Sequence, residues 1–370
     1  MGEKKIPQHG KKPNHKIKPY VVLQCLMKYT DEDNVLNAQD IIDFLKDCGL
    51  TAERRSIYRD IEEINKVALM LEEECDIDTA AEMLKGEDGD ELKLVAYDEH
   101  KKGFYIRQRH FDLNDIRLLA ECVYSAKFVP QKEAIRLVDV VCDFVSEWQS
   151  KRIRHDVFLM DRTKTNNKSV LYNISTINEA MSLEWNGEKH KPEKISFKYL
   201  KYDFDDMKNQ IERRKGSKYV VSPYKLVIND GNYYLLAYDD KKKDIVPYRI
   251  DRMKEVSLTG EERTGDEVFW KLDIQNYSQR VFSMYRGKRA IVGIRFIPPL
   301  LDTMIERFGT KTAVYGKPDD RHYTVDAEVE ISDQFYGWLL GFGKRVKLIR
   351  PAEEVEKFRE YVDKIRNIYD

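Results

Sequence analysis

The stretch Thr51-Ala-Glu-Arg-Arg-Ser-Ile-Tyr-Arg-Asp60 decides how this chain is read. Thr51 suits an N-cap, and Ile57, Ile61 and Ile64 recur at helical spacing, so the stretch opens an amphipathic helix. With Ile57 at the centre of the buried stripe and roughly 100° per residue, Arg55 and Arg59 lie about 160° and 200° away and project outward together. Arg54, Ser56 and Tyr58 flank them. Arginine pairs bidentately with guanine edges, and hydroxyls reach phosphates or bases. Arg54, Arg55, Ser56, Tyr58 and Arg59 are therefore candidate DNA contacts. The competing reading is a solvated helix face, with Arg59 paired to Glu62 or Glu63 one turn on.

The flanking sequence favours DNA. One short helix is expected over 19–29, with Pro19 at its first position. A second follows Asn37 as cap, carries Ile41, Ile42, Leu45 and Cys48 on one face, and stops at Gly49. Helix, glycine turn and helix together form a helix-turn-helix signature. Downstream, 92–97 and 104–107 read as strands joined by Asp98-Glu-His-Lys-Lys-Gly103, a hairpin where a wing would stand. Lys101 and Lys102, with Arg107, are its candidate phosphate contacts. Between helix and hairpin, ten acids from Glu72 to Glu91 face only Lys85 and Lys93, which marks an acidic insertion at about 70–91. Calcium-loop spacing is absent there. Ahead of the helices, residues 1–18 read as a basic flexible arm: Lys4, Lys5, Lys11, Lys12, Lys16 and Lys18 against Glu3.

The whole composition is that of a folded, multidomain chain. Its 370 residues are 42% hydrophobic and 11% aromatic, which excludes a disordered chain. No run of about 18 apolar residues suggests a membrane span, and the first 18 residues lack the apolar core of a secretory signal. The 64 basic and 65 acidic residues leave a net charge of −1. That total averages an acidic insertion against a basic arm, so it does not count against nucleic acid. The five cysteines form no C-x-x-C pair and read as buried reduced thiols of a cytoplasmic protein. The seven histidines are scattered. Neither a metal nor a cofactor is expected.

Two amphipathic helices are expected over 112–126 and 131–148, and another over 167–185, making a helical connector. From residue 195 the period changes to strands at 195–202, 219–221, 224–228, 233–238 and 245–250. Asn229-Asp230-Gly231 is a strong hairpin signal, and the set suggests a small closed barrel. Strands at 291–297, 323–331 and 346–349 then alternate with helices at 300–308, 334–342 and 352–368, a small α/β sandwich of ferredoxin-like kind. The expected organisation is an α+β multidomain chain. It comprises the arm (1–18), a winged helix-turn-helix (19–110), the connector (111–187), the barrel (188–260), a linker (261–287) and a C-terminal domain (288–370).

In the barrel, Tyr199, Tyr224, Tyr233, Tyr234 and Tyr248 interleave with Lys198, Lys225, Arg249 and Arg252. Bases stack on aromatics while lysine and arginine take phosphates, so these residues are candidate effector ligands. For each tyrosine alone, barrel core is the competing reading. No phosphate-loop, dinucleotide, zinc-protease or nucleophile-elbow motif occurs, and no enzyme activity is expected.

Three stretches together resemble the WYL-domain transcriptional regulators of bacteria. The first is the segment at 51–60, similar to their recognition helix. The second is Ile195-Ser-Phe-Lys-Tyr199, Val221-Ser-Pro-Tyr-Lys-Leu226, Asp230-Gly-Asn-Tyr-Tyr-Leu235 and Tyr248-Arg-Ile-Asp-Arg252, which look like the WYL domain. The third is Phe335-Tyr-Gly-Trp-Leu-Leu-Gly-Phe-Gly343 with Arg350-Pro351, similar to the C-terminal extension called WCX. The resemblance implies an Sm- or SH3-like barrel that senses a nucleotide or nucleic acid. It further implies a homodimer that binds double-stranded operator DNA. Two departures stand out: Tyr233 occupies the tryptophan position of the naming motif, and the acidic insertion is extra. An alternative within the same chemistry is an accessory nucleic-acid-binding protein of a defence or CRISPR-type system, acting without promoter regulation.

Overall fold

The computed structural model describes residues 15–107, 111–156, 164–185, 187–205, 210–272 and 287–369. The chain divides into two compact units, one ending at Lys164 and the other starting at Thr165.

In the first unit, α1 (Lys18–Tyr29), α2 (Ala38–Asp47) and α3 (Arg54–Glu72) pack Val22, Leu26, Ile41, Leu45, Ile57 and Ile61 into one core. Asn37 caps α2 in a capping box with Asp40, and Gly49 ends it at φ +75°, a conformation that favours glycine. The cap of α3 is Glu53 rather than Thr51. Ser56 explains the shift: its hydroxyl accepts from the Glu53 N–H (3.3 Å) and donates to the Glu53 carbonyl (2.9 Å). The sequence reading ends the basic arm at Lys18, but Lys18 opens α1 and is buried. Its ammonium lies 2.8 Å from the Asp60 carboxylate and donates to Ser56 Oγ at 2.9 Å. These partners compensate for lost hydration and bind α1 to the first turns of α3.

The hairpin expected as a wing, called the wing below, consists of β1 (Val95–Asp98) and β2 (Gly103–Ile106). Helix side chains hold both strands. The Asn65 amide donates to the Val95 carbonyl (3.0 Å) and accepts from its N–H (2.7 Å), which satisfies a buried strand residue as a neighbouring strand would. Thr30 Oγ1 accepts from the Ile106 N–H at 3.1 Å. Leu36 and Phe104 exchange backbone hydrogen bonds of 3.0 and 2.7 Å. This close approach requires Gly103, because a Cβ there would meet Val35 at 2.6 Å. The acidic stretch is folded rather than loosely inserted. It forms α4 (Ile77–Met83), capped by Asp76, with Ala80 buried. Asp90 then pairs with the Lys93 ammonium, and its carbonyl accepts from Arg107 at the end of the wing.

Helices α5 (Leu113–Ser125), α6 (Gln131–Cys142) and α7 (Glu147–Asp156) complete the unit around Ile116, Val138, Cys142 and Ile153. The single helix expected over 131–148 is thus two. Ser146 starts the second: its hydroxyl accepts from the Gln149 N–H (3.0 Å), and the Gln149 side chain accepts from the Ser146 N–H (3.2 Å). The Ser146 hydroxyl also donates to the buried Asp31 carboxylate, and Trp148 Nε1 donates to the Tyr29 carbonyl at 3.3 Å.

The second unit opens with α8 (Val170–Met181), which the sequence groups with the connector. It belongs instead to the following sheet. Asn173 donates to the Met253 carbonyl at 2.9 Å, and Asn167 just before the helix donates to the same carbonyl at 2.7 Å. A minimal hairpin, β3 (Glu184–Trp185) and β4 (Glu188–Lys189), leads into β5 (Glu193–Tyr202). Strands β6 (Gln210–Glu212), β7 (Tyr219–Asn229), β8 (Asn232–Asp239), β9 (Asp244–Arg249) and β10 (Met253–Glu262) follow. The antiparallel order is β10-β5-β7-β8-β9, with β6 on β5. A 3₁₀ turn, Ile250–Arg252, carries the chain from the β9 edge to the β10 edge. Among the described residues the pairings run as an open path, not the closed ring expected.

The strands expected at 219–221 and 224–228 are one strand. Its first half pairs with β5 and its second with β8, and the register slips between Pro223 and Lys225. Proline lacks an N–H for the ladder, so the break falls there. Asp230 (φ +51°) and Gly231 (φ +73°) make the expected tight hairpin turn. In the segment expected as a linker, α9 (Asp266–Phe269) stacks Phe269 on Tyr224 at 4.4 Å.

The C-terminal part comprises β11 (Lys288–Phe296), α10 (Leu301–Phe308), β12 (Val314–Gly316), β13 (Tyr323–Ile331), α11 (Asp333–Leu340), β14 (Val346–Arg350) and α12 (Ala352–Tyr369). Its antiparallel sheet runs β12-β13-β11-β14, the order of a split β-α-β unit. The sequence reading lacks β12, which at three residues is too short to show a period. Phe296, Phe308 and Phe335 fill the core. Of the cysteines, Cys25 and Cys142 are buried, but Cys48 and Cys122 are exposed, contrary to the uniform burial expected. Among the described residues no helix is long and apolar enough to cross a membrane.

The Asn65 clamp yields a stability prediction. Asn65→Ala leaves both Val95 backbone groups unpaired and costs about 2 kcal/mol or more. Urea unfolding measures this, and a loss below about 0.5 kcal/mol, the scale of a surface change, refutes it.

Candidate functional site

On α3, Arg54, Arg55, Tyr58 and Arg59 are exposed. Arg54 hydrogen-bonds Tyr58, which favours its charged form. Tyr58 packs its ring edge-on against Phe104 of the wing at 5.3 Å, and Phe104 meets Tyr97 at 5.0 Å. Tyr58 therefore joins α3 to the wing as well as facing outward. The competing pairing of Arg59 with Glu62 or Glu63 does not form: Glu63 pairs with Lys66 at 2.7 Å. Among the described residues no ion pair engages Arg55 or Arg59. Ser56 turns inward to Lys18 and the helix cap. On the wing, Lys101 donates to the carbonyls of Glu32 (2.7 Å) and Asp33 (3.1 Å), which pins it to the loop after α1. Lys102 stands exposed at the hairpin turn with φ +55°.

The barrel residues chosen from sequence separate into distinct environments. Lys198 is held between Glu212 (3.3 Å) and Glu255 (3.0 Å). Arg249 makes a bidentate pair with buried Asp251 at 3.0 and 2.8 Å. Tyr224 is buried, donates to the Thr264 carbonyl at 2.8 Å, and carries the Arg263 guanidinium 4.3 Å above its ring. Lys225 is exposed, while Tyr233, Tyr234 and Arg252 are half-buried. None of these seven lines the cleft described next.

Tyr199 and Tyr248 do line a cleft of about 530 Å³. Its other walls include Tyr219, Arg213, Arg214 and Lys242, which the sequence reading omits. Tyr199, Tyr219 and Tyr248 pack against Phe197 at centroid distances of 6.1, 5.5 and 5.4 Å. Arg214 lies 4.5 Å over the Tyr219 ring and Arg213 lies 5.9 Å over Tyr199. Burial pushes the Tyr199 and Tyr248 phenols up, so both stay neutral and do not repel an anion. Tyr248 donates to Asp239 at 3.0 Å, and Tyr199 Oη accepts from the Arg249 N–H at 3.1 Å. Arg249 thus positions a cleft tyrosine through its backbone while Asp251 holds its side chain.

The arginines reach the cleft by an unusual turn. Arg214 (φ +50°), Lys215 (φ +54°) and Gly216 (φ +80°) are consecutive left-handed residues. The two non-glycine positions cost roughly 1–3 kcal/mol each, strain of a kind that collects at binding sites. The signal in the sequence was the basic run Glu212-Arg-Arg-Lys-Gly216 between two strands. The cleft presents flat aromatic walls under planar cations, which suits a ligand with both a ring and an anionic group. Among the described residues no cluster could hold a metal ion.

Comparison with known families identifies the two C-terminal parts. Residues 191–258 match the WYL domain family and residues 289–366 match the WCX domain family. The chain carries a WYL domain followed by a WCX domain. The cleft tyrosines and arginines all lie within the WYL match.

An uncharacterized HTH-type transcriptional regulator of Bacillus subtilis, YobV, is 24% identical over 149 residues, 40% of this chain and 46% of the relative. Among solved structures, proteasome accessory factor B/C of Arthrobacter aurescens matches at 14% identity, TM-score 0.26, over 100% of this chain and 52% of that one. A CRISPR Cas-related protein matches at 14% identity, TM-score 0.35, over 95% and 92%. The matches thus span about half the length of the regulator and of the accessory factor.

The geometry predicts different costs for two basic residues of the WYL domain. Arg249→Ala leaves Asp251, 4% exposed, without its partner and lowers stability by about 3 kcal/mol. Lys225→Ala, on an exposed side chain, changes it by less than about 0.5 kcal/mol. Thermal unfolding of both variants checks the contrast, and equal melting temperatures refute it.

Proposed function

We propose that the protein is a ligand-responsive transcriptional regulator. It binds operator DNA through α3 and the wing, as a homodimer, and senses an anionic effector with a planar ring in the WYL cleft. The observation that carries this reading is the pairing pattern of its cations. Arg55 and Arg59 stand exposed on one face of a wing-backed helix, while Arg213 and Arg214 lie over cleft tyrosines. Among the described residues none of these four guanidiniums pairs with a carboxylate, which leaves them open to phosphate or base edges. The role is binding rather than catalysis. Effector binding shifts the population between arrangements of the two DNA-reading heads that fit or miss the operator half-sites.

Two measurements test this. Arg55→Ala with Arg59→Ala lowers specific operator affinity by at least about a hundredfold, at roughly 1–3 kcal/mol per arginine, while the fold persists. Retained affinity in a gel-shift assay overturns the assignment. Arg213→Ala with Arg214→Ala leaves DNA binding intact but weakens binding of a nucleotide, tested with GMP and a short oligothymidylate, by about tenfold or more. Equal binding by wild type and variant places the effector elsewhere. Preference for the oligonucleotide, without any promoter response to it, favours the accessory nucleic-acid-binding role.

A further inference from the structure

A second cavity lies wholly within the DNA-reading unit, and its lining is the charge opposite of the WYL cleft. It measures about 470 Å³ and is bounded by α1, the loop after it, α2, the wing turn and α7. Three rings form its aromatic surface: Tyr29, Phe44 and Trp148. Tyr29 and Phe44 meet edge-on at 5.8 Å. Two carboxylates, Asp33 and Asp40, line it against a single ammonium, Lys101. That ammonium is already committed to the carbonyls of Glu32 and Asp33. Both acids are exposed, and Asp40 spends one oxygen on the Asn37 N–H at 2.9 Å.

The rings in this region already attract cations. The Lys28 ammonium sits 5.1 Å from the Tyr29 centroid and the Lys151 ammonium 4.9 Å from that of Trp148. Lys28 is engaged first by Tyr29 itself, with Glu147 and Asp143 adding attraction, and Lys151 pairs with Glu147 at 2.7 Å. At the floor, Cys25 is buried, and burial followed by the negative charge around it, Asp40 included, pushes its thiol up to about 12. Cys25 is therefore an inert neutral wall rather than a nucleophile.

We propose that this cavity is a second ligand site, selective for an organic cation that carries an aromatic or quaternary ammonium group. Aromatic faces and the exposed carboxylates of Asp33 and Asp40 recognise such a cation together, because the rings supply quadrupole attraction without competing hydrogen bonds and the acids supply net charge. The site borders the Trp148–Tyr29 hydrogen bond and the pinned Lys101. An occupant there bears directly on how the wing turn and α7 hold the loop after α1.

The test uses the full chain and benzyltrimethylammonium as probe, with neutral benzyl alcohol and anionic benzenesulfonate as counterparts. Isothermal titration should show one saturable cation site per chain, at least tenfold tighter than for either counterpart. Asp33→Asn, on an exposed side chain, should weaken cation binding about threefold to tenfold, and Trp148→Leu tenfold or more. Arg214→Ala, in the WYL cleft, should leave cation binding unchanged. Equal affinity for the three probes overturns the proposal. So does cation binding that Asp33→Asn and Trp148→Leu both leave intact. If Trp148→Leu unfolds, Asp33→Asn and the probe comparison still decide the matter.

Discussion

Ion pairing in a chain of 64 basic and 65 acidic residues decides which cations can meet a ligand. Lys18, Lys198, Arg249 and Arg350 each have a carboxylate within reach, at Asp60, Glu212 and Glu255, Asp251 and Asp326 respectively. Such pairs fix geometry and leave little charge for an incoming anion. Among the described residues no ion pair engages Arg55 or Arg59 on α3, and Arg213 and Arg214 meet aromatic faces. A balanced total is thus compatible with two concentrated sites of positive charge in two separate units.

The paired cations are the ones that build the sites. Lys18 fixes the first turns of α3, which present Arg55 and Arg59. Asn65 and Tyr58 then tie the same helix to the wing, one by a buried amide and the other by an aromatic edge. In the WYL domain, Asp251 immobilises Arg249, whose N–H donates to Tyr199 at the cleft wall. Lys18 with Asp60, and Arg249 with Asp251, are polar pairs one step back from the surface that set the orientation of the groups at each site. That arrangement holds a binding geometry without placing the supporting charge in the site itself.

Much of the architecture was legible because it rests on local periodicity and turn chemistry. The three helices around Gly49, the hairpin after α4, the turn at Asp230-Gly231 and the alternation of strands and helices after residue 288 each follow from spacing that neighbouring residues impose. The structure departs from local patterning where a signal is weak or is overridden. The cap at Ser146 has the S-x-x-Q form and splits one expected helix in two. The short strand β12 depends on pairing with β13, not on its own sequence. Helix α8 joins the WYL sheet through two asparagine amides that seek a carbonyl about 80 residues away.

The sequence by itself determined most of the helices and strands, and which basic and aromatic residues are available to a site, because helix and strand patterns depend on neighbours in the chain. It also placed the outward arginines of α3, since one buried stripe fixes the opposite face. Only the tertiary structure decided which cations are occupied. Arg249 and Arg213 are indistinguishable as letters, but Asp251 neutralises the first, while the left-handed turn at Arg214 and Lys215 helps bring the second over Tyr199. Coulomb attraction and ring contacts act through space, so the identity of a site's free charges emerges only when the strands have paired.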